Sequence, residues 1–77
     1  MPLVPTGQLA AAAAARGRGV GAFNVITLEH AEAIVAAAER QALPVVLQIS
    51  ENAVRYHGAL APIALATKAI AERAEVP

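Results

Sequence analysis

Seventy-seven residues, no cysteine, a formal net charge of zero and 57% hydrophobic side chains set the first limits. A chain of about this size buries only roughly 60% of its unfolded surface, and with 21 alanines, one Phe and one Tyr it is short of bulky packing groups and has no disulfide to reinforce it. Balanced charge excludes a long-range field favouring nucleic acid or an anionic membrane surface, and no apolar run approaches the roughly 20 residues of a bilayer span.

The alanine run at residues 10–15 is followed, not preceded, by basic residues, Arg16 and Arg18, the wrong order for a secretory signal. A cytoplasmic location is therefore expected. Thr6 is placed to cap a helix through Gln8, Leu9 and the alanines, which have the best intrinsic helix propensity, and Gly17 and Gly19 end it. The Arg16-Gly-Arg-Gly19 run also suits an RNA-binding fragment. Such segments use longer basic repeats and stacking aromatics, so an exposed helix with a glycine stop is the better reading.

The next segment, Val20-Gly-Ala-Phe-Asn-Val25, changes period. It reads as a strand with Val20, Ala22 and Asn24 on one face and Gly21, Phe23 and Val25 on the other. Thr27 offers an N-cap, with Glu29 in the first turn, where the helix dipole favours an anion. Leu28, Ala31, Ile34, Val35, Ala38 and Ala42 then recur at helical spacing and form one apolar stripe. Pro44 opens a second strand, Pro44-Val-Val-Leu-Gln-Ile-Ser50, in which Val46, Gln48 and Ser50 share a face. Its near-continuous apolar character is the habit of parallel strands covered on both faces.

A short helical stretch around residues 51–56 leads to Gly58. A last helix beginning near Ala59 follows, with Leu60, Ile63, Thr67, Ile70 and Ala74 on one face and Pro62 in its first turn. Val76-Pro77 reads as the start of a third strand. The order suits a doubly wound sheet or a (β/α)8 barrel. The first strand-to-helix loop, Val25-Ile-Thr27, lacks the G-x-G-x-x-G pattern of dinucleotide folds. Small or polar residues at the carboxyl ends of the strands, Ala22 and Asn24 on one and Gln48 and Ser50 on the other, suit the mouth of a barrel. The fold class expected is thus α/β, a leading helix plus the first two βα units of a (β/α)8 TIM barrel, with residues 1–77 an incomplete N-terminal part of that single domain.

The run Gly21-Ala-Phe-Asn-Val25, the helix opening Leu28-Glu29 and the strand from Pro44 to Ser50-Glu51, at this spacing, resemble the N-terminal segment of class II fructose-bisphosphate aldolases. The resemblance extends from Pro2-Leu-Val to Val76-Pro77. It implies a barrel enzyme that reversibly cleaves fructose 1,6-bisphosphate to dihydroxyacetone phosphate and glyceraldehyde 3-phosphate, with zinc as a Lewis acid polarising the ketone. It further implies that Asn24 lies at the substrate, that Gln48 lines the same mouth and that Ser50 binds phosphate, as an uncharged hydroxyl donor can. A homodimer or larger assembly is implied as well. The family's catalytic aspartate and zinc-binding histidines belong to segments expected beyond Pro77, and this chain contains no Asp. No catalytic residue and no metal ligand is expected within it.

His30 and His57 are far apart in sequence with no third ligand at metal spacing, so surface or packing roles are expected of them. Glu51, beside Ser50, is expected to be solvated or to cap a helix rather than to act as a general base. Asn24 also suits a turn and Ser50 an N-cap. A tagatose-bisphosphate aldolase and a complete, non-catalytic α/β interaction module stand as the alternatives.

Overall fold

A computed structural model describes residues 3–77; Pro2, where the family resemblance begins, lies outside the described residues. The elements are α1 (Thr6–Ala15), β1 (Ala22–Asn24), α2 (Leu28–Gln41), β2 (Val46–Gln48), α3 (Glu51–His57) and α4 (Ala61–Arg73). Type and order follow the sequence pattern; several boundaries and faces do not.

Thr6 does not cap α1. Pro5 occupies the N-cap in an extended conformation, and its carbonyl accepts from the Gln8 and Leu9 amides at 3.0 and 3.4 Å, which draws Thr6 into the first turn. The helix stops as a Schellman motif. Gly17 takes φ +68°, its N–H donates to Ala14 C=O at 3.0 Å, and the Arg18 N–H reaches back to Ala13 C=O at 2.8 Å. No residue of α1 is buried.

β1 and β2 pair in parallel, with Ala22 opposite Val46, Phe23 opposite Leu47 and Asn24 opposite Gln48. Each strand holds three residues, fewer than the sequence suggests, because ladder pairing is confined to where the two chains run alongside one another. Flanking bonds from Val46 N–H to Gly21 C=O (2.9 Å) and from Val25 N–H to Gln48 C=O (2.8 Å) close its two ends. Backbone groups alternate between strand edges, so even-numbered residues of β2 bond to β1 and odd-numbered ones face the other edge. On that other edge Val45 N–H donates to Pro77 C=O at 3.0 Å. The expected third-strand segment therefore lies beside β2.

The core gathers Val25, Ala31, Val35, Ile63, Ile70 and Ala74, with Ile34, Leu47 and Ile49 packed on it. α2 rests on α4, and both lie on the sheet face that presents Val25, Leu47 and Ile49. The expectation that both faces of the second strand are covered is met only in part, since Val46 and Leu47 are half-buried and Gln48 is exposed. All three residues of β1 are exposed, Phe23 included, although by alternation it shares the helix-facing side with Val25. Two further assignments to the buried stripe are overturned. Leu28 and Leu60 sit at helix starts, ahead of the turns that touch the sheet, and are 43% and 51% exposed. A Cβ at Gly21 would fall 2.7 Å from the rim of the half-exposed Phe23 ring, which would have to turn aside to admit it.

Other capping arrangements also match the sequence. Thr27 caps α2 through a 3.4 Å bond from the His30 amide, and Gly58, at φ +80°, closes α3. Pro62 falls in the first turn of α4, which starts at Ala61 rather than near Ala59. Past α4, the Glu75 N–H donates to the Glu39 carboxylate at 2.9 Å, tying the chain ahead of Pro77 to α2. Among the described residues no helix is long and apolar enough to cross a membrane.

Candidate functional site

The face of the sheet opposite the helices carries Ala22, Asn24, Val46 and Gln48, by the two-residue alternation of strands. Register brings the last residue of each strand together. The Gln48 Nε2–H donates to Asn24 Oδ1 at 2.8 Å, between side chains that are both exposed. This bond consumes one acceptor and one donor, leaving the Asn24 amide nitrogen and the Gln48 carbonyl oxygen free for a ligand.

Ser50 lies two residues beyond Gln48 and is half-buried. Its extended backbone (φ −84°, ψ 165°) makes it the N-cap of α3, and its Oγ accepts from the Ala53 N–H at 3.2 Å. The cap uses the oxygen as acceptor and leaves the hydroxyl hydrogen to donate elsewhere. The N-cap and ligand readings of Ser50 are thus compatible. The three predicted site residues sit at the same end of the sheet, two of them bonded directly and the third fixed by its helix.

Glu51 pairs with Arg55 one turn on, at 3.7 Å, with both side chains largely in solvent. Such an exposed pair contributes little, and among the described residues Arg55 is the one charged partner of Glu51. The histidines are both on the surface, as expected, yet both reach the backbone of one residue. His30 Nδ1 accepts from the Ile26 N–H at 3.4 Å, and His57 Nε2 bonds to the Ile26 carbonyl. A carbonyl can only accept, so His57 is the donor. The Tyr56 ring meets the His57 ring edge-on, with centroids 5.0 Å apart. The approach of His30 to Ile26 has a local signal in its position three residues past the Thr27 cap. That of His57, 31 residues from Ile26, has none.

Among the described residues no group of three His, Cys or Glu side chains is gathered to hold a metal ion, and both histidines already bond to the backbone at Ile26. As a chemical surface, Asn24, Gln48 and Ser50 form a neutral set of hydrogen-bonding groups. They can orient oxygen atoms of a polar ligand but cannot exchange a proton with it near neutral pH.

The chain matches the family model described as fructose-bisphosphate aldolase class-II over residues 4–77. It is 40% identical over 76 residues to a probable fructose-bisphosphate aldolase of Bacillus subtilis (strain 168), covering 99% of this chain and 27% of that protein. It is 46% identical over 66 residues to the fructose-bisphosphate aldolase of Thermus caldophilus, covering 84% of this chain and 21% of that one. Against the Geobacillus stearothermophilus fructose-bisphosphate aldolase the identity is 43% over 60 residues, with 77% and 21% covered. The chain thus spans about a quarter of the length of these curated relatives. No solved structure gives a significant match.

Proposed function

The chain belongs to the class-II fructose-bisphosphate aldolase family, and from that premise we propose that it forms part of the substrate surface of an enzyme cleaving fructose 1,6-bisphosphate to dihydroxyacetone phosphate and glyceraldehyde 3-phosphate. The observation carrying this reading is the bonded Asn24–Gln48 pair at the carboxyl ends of two parallel strands, on the face that the helices leave open. In α/β barrels this end of the strands is where substrate is met. Asn24 and Gln48 orient hydroxyl and carbonyl oxygens of the sugar, and Ser50 donates to a phosphate oxygen.

On the same reading, α1 and the two βα units are the leading part of a (β/α)8 barrel, and the protein is a cytoplasmic glycolytic enzyme working as a homodimer or larger assembly. Zinc is the cofactor of the family reading. The described residues do not fit it, because both histidines are engaged at Ile26 and no third donor stands near them. Its ligands would have to come from elsewhere, and the part played by this chain is to hold and orient substrate.

The test is an assay of the full encoded polypeptide for cleavage of fructose 1,6-bisphosphate, in the wild-type form and as Asn24→Ala. Turnover by the wild type, with the KM raised about tenfold in the variant, is the expected outcome for a ligand-facing hydrogen-bonding group. Turnover with an unchanged KM would remove Asn24 from the site, and absence of turnover from the wild type would sink the reading itself.

A further inference from the structure

Ile26 is the residue on which the two histidines meet. It follows buried Val25 and stands two positions beyond Asn24, in the connection from β1 to α2. Both of its main-chain polar groups are taken by imidazoles, the N–H by His30 Nδ1 and the C=O by His57 Nε2. His30 belongs to the first turn of α2 and so holds its own connection. His57 ends α3, the helix that Ser50 caps at its start. A helix that begins at one site residue therefore fastens, by its last residue, the loop that follows another.

We propose that His57 is a positioning residue, which locks the connection after β1 to the connection after β2 and so sets the separation of Asn24 and Ser50 for a phosphorylated ligand. The inference rests on the substrate-surface reading above. Its physical ground is that, past the Val25 N–H bond to Gln48 C=O, neither connection has a further backbone bond to the sheet among the described residues. The two strands fix Asn24 against Gln48, but Ser50 lies beyond the ladder and moves with α3. The bond from His57 closes that freedom, and the His57 ring also meets the Tyr56 ring edge-on. His57 lies on the surface, so its removal leaves no buried cavity and costs little stability. A displacement of about 1 Å at a binding group, by contrast, is costly to recognition.

The experiment compares His57→Ala, His57→Gln and Asn24→Ala in the full encoded polypeptide. Amide hydrogen exchange is followed at Ile26, and kcat and KM are measured for fructose 1,6-bisphosphate. By loosening the connection, His57→Ala is expected to weaken the Ile26 N–H bond to His30 Nδ1, speeding exchange at Ile26 about tenfold, and to raise KM about three- to tenfold while kcat changes less. His57→Gln, which keeps an N–H donor, is expected to restore most of both. A purely structural role predicts a lowered melting temperature with KM untouched, and that result would overturn the proposal, as would unchanged exchange at Ile26. If Asn24→Ala raises KM and His57→Ala does not, the positioning role alone falls. If neither variant shifts KM, the site reading falls with it.

Discussion

The Ser50 hydroxyl accepts the Ala53 N–H at 3.2 Å while keeping its own hydrogen, and substitutions can separate those roles. Ser50→Ala loses both and is expected to lower stability by about 1 kcal/mol as well as raise KM for a phosphorylated sugar. Ser50→Asp retains a good capping oxygen but presents a negative charge to phosphate. Urea denaturation should find Ser50→Asp close to wild type while KM rises at least as much as in Ser50→Ala; an unchanged KM in both variants would leave Ser50 as a cap only. Asn24, Gln48 and Ser50, the proposed ligand contacts, stand out in the sequence because each is a polar residue at the end of an apolar run. The bond between Asn24 and Gln48 was not, since it depends on the register of strands whose local pattern states no register. The meeting of His57 with Ile26 was hidden for the same reason, because it follows from how α3 leaves the sheet rather than from any nearby spacing.

Among the elements, α2 follows its sequence most closely, with Thr27 as its cap and Ala31, Val35 and Ala38 on the buried stripe. Its far end departs from the pattern. Ala42 extends the apolar spacing by one more position, yet it is the C-cap, in the left-handed region at φ 54° and ψ 42°. Alanine gives no local sign of that conformation, which its Cβ disfavours by about 1 kcal/mol relative to glycine. Ala42→Gly should therefore stabilise the chain by about 0.5–1 kcal/mol, read as a higher urea midpoint at constant slope; a lower midpoint would show that the turn is held some other way. Val25, wholly buried where β1 runs into its connection, is the opposite case. Val25→Ala removes two methyl groups from the centre of the core, at a cost of about 2 kcal/mol in the same measurement.

Over the whole molecule, two three-residue strands and an alanine-rich set of helices enclose a core on one side of the sheet only. Thr67 lies within it, 93% buried, with its hydroxyl lacking a partner among the described residues, a further cost to a small core. The 77-residue polypeptide on its own is expected to be stable by no more than about 3–5 kcal/mol, a ceiling that far-UV circular dichroism in urea would check. Composition made that scarcity visible at once, whereas the side of the sheet left bare depended on where α2 and α4 settle. Beyond stability, the neutrality of the Asn24, Gln48 and Ser50 surface has a kinetic side. On the proposed reading, in which these groups meet an anionic sugar, a stretch of zero net charge with uncharged contacts offers no long-range pull, so added salt has nothing there to screen. The factor by which Asn24→Ala weakens binding should then stay the same from dilute buffer to concentrated sodium chloride; a factor that changed with salt would show charged groups at work beside Asn24.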